Sequence, residues 1–440
     1  MDTLQATPDA NPHARRLSLG TGTSRLSFGI DDLCRHTLIL GSSGSGKTTR
    51  GFNPMLAGML GDLDAGAFII APKPEAVDEA VELARRAGRK AVVVQPGSEL
   101  GFELLSGSPD IDAMYLRDTL GRSSDEDKAY IEAAIARIKN ALRMLQAAGV
   151  QYYNFQNLTE YVFDERFSAT VRNQASSRLT SLDSDSESAW TIREAISYED
   201  TRYFQFSPET RRAVLFTISQ LLEPLRDVRI MRTFSPKAGL LPVESVFSGT
   251  VIVLHVPRTR YERAAQSIYT LAKRRFFSAI ENRRANLELD QTRPVVFAVD
   301  EYQLCISESD IQSLGIIRSA GCMVLAATHG VSSLYAILPR SLVDAAMQNF
   351  TQKLFFKTDD HETLALLDRA TKSSTGEINA GTLFKMTRNQ AVAHMTVGDR
   401  SVDAVIETPP LFLMPDYFNS PSPDVPALAP VGTPELAAKL

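Results

Sequence analysis

Short runs of consecutive apolar residues, each closed by a polar or glycine-rich turn, recur in two stretches of the chain. Thr37-Leu38-Ile39-Leu40, Ala67-Phe68-Ile69-Ile70 and Ala91-Val92-Val93-Val94 fall in the first stretch. Val251 to Val256, Val295 to Val299, Met323 to Ala327 and Lys353 to Phe356 fall in the second. Continuous rather than alternating apolar character means strands covered on both faces, which predicts a mainly parallel sheet. Helical spacing lies between the runs, through Met55 and Leu60 and from Glu75 to Ala87. From about Ile111 to Leu240 the period changes. Ser123 and Glu126 form a capping box, after which Ile131, Ala134, Ile135, Ile138, Leu142 and Leu145 recur at helical spacing until Gly149. Ser207-Pro208-Glu209 opens a further helix carrying Val214, Leu215, Ile218, Leu221 and Leu222. No run in this block has the strand signature.

The pattern divides the chain into five parts. Residues 1–25, rich in Ala, Pro, Thr, Ser and Gly, read as a flexible lead-in. Residues 26–110 read as the first part of an α/β core, 111–240 as an all-helical insertion, and 241–407 as the second part of the core. Residues 408–440, with Pro409, Pro410, Pro421, Pro423 and Pro426, read as an extended tail.

Composition changes this picture little. The 440 residues suffice for a sizeable core, and 44% apolar with 22% charged residues is ordinary for a globular protein. A net charge of −5 excludes a globally basic nucleic-acid coat protein but not a motor that is basic only along a channel. Cys34, Cys305 and Cys322 are too few and too scattered for a disulfide framework or zinc cluster, and read as packed thiols. No apolar run approaches the ~18–20 residues that span a bilayer, and no signal peptide is read at the start. The expectation is a cytoplasmic chain without direct membrane insertion, held at an inner membrane, if at all, by a partner.

Candidate chemistry concentrates at two strand ends. Gly41-Ser42-Ser43-Gly44-Ser45-Gly46-Lys47-Thr48 follows a strand and opens a helix, the setting a P-loop requires, and Thr49 continues the turn. Glycines let backbone N–H groups curl around phosphates, and the helix start adds its positive dipole end. Lys47 would reach the β- and γ-phosphates of ATP and the Thr48 hydroxyl would ligate Mg²⁺. The run Val295 to Val299 ends in Asp300-Glu301. Asp300 would hold Mg²⁺ through its water shell, and Glu301 would polarise the attacking water. One strand later His329 could sense the γ-phosphate, or simply end a strand. Arg318 could serve a neighbouring subunit's ATP as an arginine finger, or lie solvated. The basic run Arg258, Arg260, Arg263, Lys273, Arg274, Arg275, Arg283 and Arg284 could contact DNA phosphates. Its helix has an apolar opposite face, however, and a plain solvated face is the favoured reading.

The order of these motifs resembles the coupling ATPases of conjugative type IV secretion (TraG/TraD-like), within the HerA–FtsK superfamily of P-loop ring motors. The resemblance spans roughly residues 30 to 405. His36 to Gly41 leads into the P-loop as in that family, and Ala71-Pro72-Lys73-Pro74-Glu75 is similar to its Asp-Pro-Lys-Gly-Glu motif. Gly88 to Pro96 with Phe102 to Leu105, Arg318-Ser319-Ala320-Gly321, Asn349 to Lys353 and Asp359-Asp360 resemble its later motifs. The resemblance implies a RecA-like core split by an all-alpha domain, and a homo-oligomer, a hexameric ring pumping single- or double-stranded DNA by ATP hydrolysis. It further implies that Lys47 and Thr48 bind nucleotide and Mg²⁺, that Asp300 and Glu301 organise hydrolysis, and that Arg318 acts in trans. Relaxase and secretion-channel proteins would be partners. Ala71 departs from the usual Asp, His329 from the usual Gln, and the membrane helices usual at the start of that family are missing. A HerA-like ATPase working with a nuclease, or a nucleotide-gated adaptor for protein cargo, are the alternatives. The helical block between the two nucleotide motifs argues against a small-molecule kinase, and no Asn-Lys-x-Asp run points to a GTPase.

Overall fold

The computed structural model describes residues 16–21, 25–120, 128–236, 239–371 and 378–410. Eleven strands are present among them. β1 (Leu17–Leu19), β2 (Leu26–Phe28), β3 (Thr37–Leu40), β4 (Gly66–Ile70) and β5 (Ala91–Val94) come first. β6 (Val251–Leu254), β7 (Val295–Asp300), β8 (Cys322–Thr328), β9 (Gln352–Phe355), β10 (Gln390–Val397) and β11 (Arg400–Glu407) follow. β3 to β11 form one sheet in the order β11-β10-β9-β3-β8-β7-β4-β6-β5. From β9 to β5 every neighbouring pair is parallel, and β10 turns antiparallel against β9 and β11. The fold is α/β, with the mainly parallel core that the apolar runs predict.

Successive residues of each parallel strand serve opposite faces. Leu38, Phe68, Phe297 and Val324 pack into one core with the helical block, while Ile39, Ile69, Ala298 and Leu325 pack into the other with the helices Asn53–Gly61 and Pro74–Arg86. Both faces are dry, which is why these strands read as unbroken apolar runs. Between β5 and β6 every described element is helical, from Pro109–Asp118 to Val228–Phe234. Ser207 caps its helix by accepting from the Thr210 amide, as its position before Pro208 predicts.

Several expectations need correcting. Residues 17–19 of the supposedly flexible lead-in form β1, paired antiparallel with β2. Leu17 and Leu19 are buried, and Leu17 lies so close to Gly58 that a Cβ there would stand 2.8 Å from it. The hairpin β10–β11 has no apolar run longer than three residues to announce it. The basic run is neither a phosphate surface nor a solvated face at Lys273, Arg274 and Arg283, all of which are buried. Lys273 pairs with Asp310, Arg274 with Asp118, and Arg283 donates to the carbonyls of Asp290 and Arg293. The Ser123–Glu126 capping box and the tail beyond residue 410 lie outside the described residues. Among the described residues, no helix is long and apolar enough to cross a membrane.

Candidate active site

The carboxyl ends of neighbouring parallel strands are where open α/β sheets bind ligands, because the loops leaving them converge on one rim. Here that rim collects, strand by strand, the P-loop after β3, His329 after β8, Asp300 and Glu301 at the end of β7, Lys73 after β4 and Arg258 after β6.

Backbone conformation shapes the loop itself. Gly44 (φ 75°) and Gly46 (φ 95°) adopt left-handed conformations that a side chain would strain. A Cβ on Gly41 would lie 2.7 Å from both Phe356 Cβ and Ser45 Oγ. Ser42 ties the loop to the end of β9, its amide donating to Lys357 (3.1 Å) and its hydroxyl to Asp359 Oδ1 (3.2 Å). Ser43, Gly44 and Thr49 are exposed, and Ser45 Oγ is buried without a partner. Lys47 opens a π-helical turn, Lys47–Phe52, that leads directly into Asn53–Gly61. Helix continuation through the P-loop motif is thus present, with a wider first turn than an α-helix gives.

Thr48 and Asp300 meet. The Thr48 hydroxyl donates to Asp300 Oδ2 at 2.7 Å, while Oδ1 of Asp300 is buried with no hydrogen-bond partner. An unpaired buried carboxylate oxygen is costly unless something supplies charge or hydrogen bonds to it. A hydroxyl beside a free carboxylate oxygen suits a hard, oxygen-seeking cation such as Mg²⁺, which keeps several waters and phosphate ligands and needs few from the protein.

Lys47 is buried, and its Nζ lies 3.2 Å from Nδ1 of His329. Burial, with the charge of Lys73, lowers the Lys47 pKa against the pull of Asp300. Burial and the Lys47 ammonium likewise lower that of His329. An ammonium can only donate, so Nδ1 of His329 accepts and the proton of the neutral ring sits on Nε2, free to donate elsewhere.

Glu301 is the strained member. Its backbone has φ 103° and ψ 60°, a region a non-glycine residue enters at a cost of about 1–3 kcal/mol and one that clusters at functional sites. Its amide donates to the Ala327 carbonyl at 3.0 Å, which fastens the turn to β8. The side chain is 8% exposed, with Oε1 2.6 Å from Lys73 Nζ and Oε2 3.7 Å from Arg258. The hydrogen bond to Glu301 raises the Lys73 pKa, keeping it cationic. Lys73 was visible in the sequence only as part of a motif and Arg258 only as one of a basic run. The signal that places Lys73 is its position just past β4, the strand beside β7.

Arg318 does not join this cluster. It is exposed on the opposite rim, at the end of the helix Asp310–Ser319, in a cavity of about 890 Å³ shared with Arg35 and Arg284. The seven residues of β8 separate it from His329, roughly 23 Å at ~3.3 Å per residue. It cannot reach the chain's own P-loop.

Fold and site together define a RecA-like P-loop NTPase architecture. Among solved structures, the chain is similar to the bacterial conjugative coupling protein TrwBdeltaN70, with a TM-score of 0.62 and 14% identity over 89% of each chain. It is similar to plasmid coupling protein TrwB in complex with ADP and Mg²⁺ (TM-score 0.61, 14% identity, 87% of this chain and 86% of that one). It also resembles VirB4 of Thermoanaerobacter pseudethanolicus (TM-score 0.55, 15% identity, 92% and 99%). The fold is therefore that of the coupling proteins to which the motif order points. No protein-family model matches the sequence, and no curated protein matches it.

Proposed function

We propose that the chain is an ATP-hydrolysing motor that assembles as a ring and moves DNA. The observation that carries the ATPase reading is the 2.7 Å hydrogen bond from Thr48 to Asp300 beside a free, buried Asp300 oxygen. Two residues far apart in sequence meet there as nucleotide hydrolysis requires. The loop amides and Lys47 bind and orient the phosphates. Bound Mg²⁺, held by Thr48 and Asp300, would neutralise phosphate charge. Glu301 orients and deprotonates the attacking water, and a preorganised base of this kind supplies roughly 10²–10⁴-fold. His329, neutral and with Nε2–H available, donates to the γ-phosphate where a glutamine would otherwise do so. The complex of TrwB with ADP and Mg²⁺ supports the nucleotide assignment by likeness of fold. The motor assignment rests on the same likeness, together with the sequence resemblance to coupling ATPases.

The test is ATPase rate with and without single- and double-stranded DNA, alongside a mass measurement with nucleotide bound. Glu301→Gln should keep ATP bound while turnover falls by about 10² or more. Wild-type turnover in that variant removes the assignment of Glu301. A rate indifferent to both forms of DNA removes the motor reading and leaves a nucleotide switch.

A further inference from the structure

A carboxylate that takes a proton from water must offer that water a free oxygen. In Glu301 each oxygen faces a cation: Oε1 is paired with Lys73 at 2.6 Å, while Oε2 lies 3.7 Å from Arg258, a charge contact longer than a hydrogen bond. The two cations are held differently from the acid. Glu301 is 8% exposed, whereas the side chains of Lys73 and Arg258 are 61% and 43% exposed. An anion arriving from solvent can compete for either cation without disturbing the core. Arg258 also belongs to a larger feature. It opens the helix Arg258–Arg283, whose first turn is broken at Tyr261 (φ −130°, ψ 44°), with Arg260 exposed before the break and Arg263 exposed just after it, and Arg258 also lies 3.9 Å from Glu262. The broken turn borders the helical block, sharing a cleft with Ser219, Gln220, Glu223 and Pro224.

We propose that Lys73 and Arg258 are positioning residues that restrain Glu301, and that a nucleic-acid phosphate backbone laid along Arg258, Arg260 and Arg263 releases it. The inference rests on the reading of Glu301 as the water-polarising group. A backbone presents anions at short, regular spacing, so it engages several guanidiniums together, and drawing Arg258 outward leaves Oε2 of Glu301 facing water without a cation beside it. The break at Tyr261 lets the first turn shift while the rest of the helix, anchored by buried Lys273 and Arg274, stays in place. Hydrolysis is thereby kept low until the track is bound.

The experiment measures ATPase rates of the full chain with and without a single-stranded DNA oligonucleotide. Lys73→Met should raise the DNA-free rate about threefold or more at unchanged KM and bring the ratio of stimulated to basal rate toward one. Lys73→Arg should restore restraint. Arg258→Gln should raise the basal rate and increase the oligonucleotide concentration needed for half-stimulation. Lys73 is largely exposed, so an unchanged thermal midpoint separates these effects from loss of fold. A Lys73→Met variant whose basal rate is unchanged or lower, beside an inactive Glu301→Gln, overturns the restraint alone. A fully active Glu301→Gln overturns the base assignment and this inference with it.

Discussion

His36, at the head of β3, is completely buried and bonds through Nε2 to the Leu314 carbonyl at 2.8 Å, with Nδ1 left unpaired. Because a carbonyl only accepts, the ring carries its proton on Nε2. Burial lowers its pKa from 6.5 to about 4, assisted by the charge of Arg318. Between those values the unfolded chain binds more protons than the folded one, so stability is full above pH 6.5 and is lost as pH falls toward 4. The loss amounts to about 3 kcal/mol at ~1.4 kcal/mol per unit. Urea midpoints recorded from pH 7 to pH 4.5 should fall more steeply for the wild type than for His36→Asn. Parallel slopes would show that other groups dominate. At this scale the meeting of Thr48 with Asp300 was foreshadowed, because the glycine-rich spacing before Lys47 and the acidic pair closing an apolar run are both patterns in the sequence. The Lys73–Glu301 pair was not, since nothing in a linear chain tells which lysine a distant carboxylate will meet. Nor was the positive φ of Glu301, an angle that a glutamate does not advertise.

Elements were legible where burial is two-sided. β3, β4, β5, β6, β7, β8 and β9 announce themselves because both faces need apolar residues. β10 buries Ala391, Val392, Ala393 and Met395 but leaves Gln390, His394 and Thr396 partly exposed, and most of β11 is partly exposed, so neither forms an apolar run longer than three residues. β1 is only three residues long. The helix Arg258–Arg283 misleads for another reason: lysine and arginine are normally surface residues, and only their partners reveal otherwise. Lys273 is sealed against Asp310 and donates to the Ser307 hydroxyl at 3.0 Å, while Tyr302 donates to the same aspartate at 2.6 Å. Removing one partner strands the other charge. Asp310→Asn or Lys273→Met alone should therefore cost about 3–5 kcal/mol in chemical denaturation, whereas Lys273→Met with Asp310→Leu should cost clearly less than the sum. Additive losses would mean that the pair is not a coupled unit.

For the whole molecule, the two rims of the sheet carry different charged groups. The P-loop rim gathers Lys47, Thr48, Asp300 and Glu301. The opposite rim presents Arg318 beside Arg35, out of reach of its own nucleotide and open to a neighbour. If adjacent copies face these rims toward each other, Arg318→Ala should abolish turnover in assemblies while leaving nucleotide affinity per chain intact. Mixing it with Lys47→Ala chains should recover activity at the interfaces that pair an intact P-loop with an intact arginine. ATPase assays on such mixtures check this, and recovery absent at every ratio would exclude a role in trans. The sequence shows this arginine and its motif, but its separation from the chain's own site becomes visible only in three dimensions.

Arg50 extends from the turn that carries Lys47 and Thr48 to the Thr408 carbonyl, at 3.0 Å, and a Cβ on Gly46 would lie 3.2 Å from the Arg388 carbonyl. The turn is thus moored through Arg50 to the residue that leaves the β10–β11 hairpin, and the loop passes close to the residues that enter it. A pull on Thr408 would therefore be felt first in the turn that carries Lys47 and Thr48, far from it in sequence.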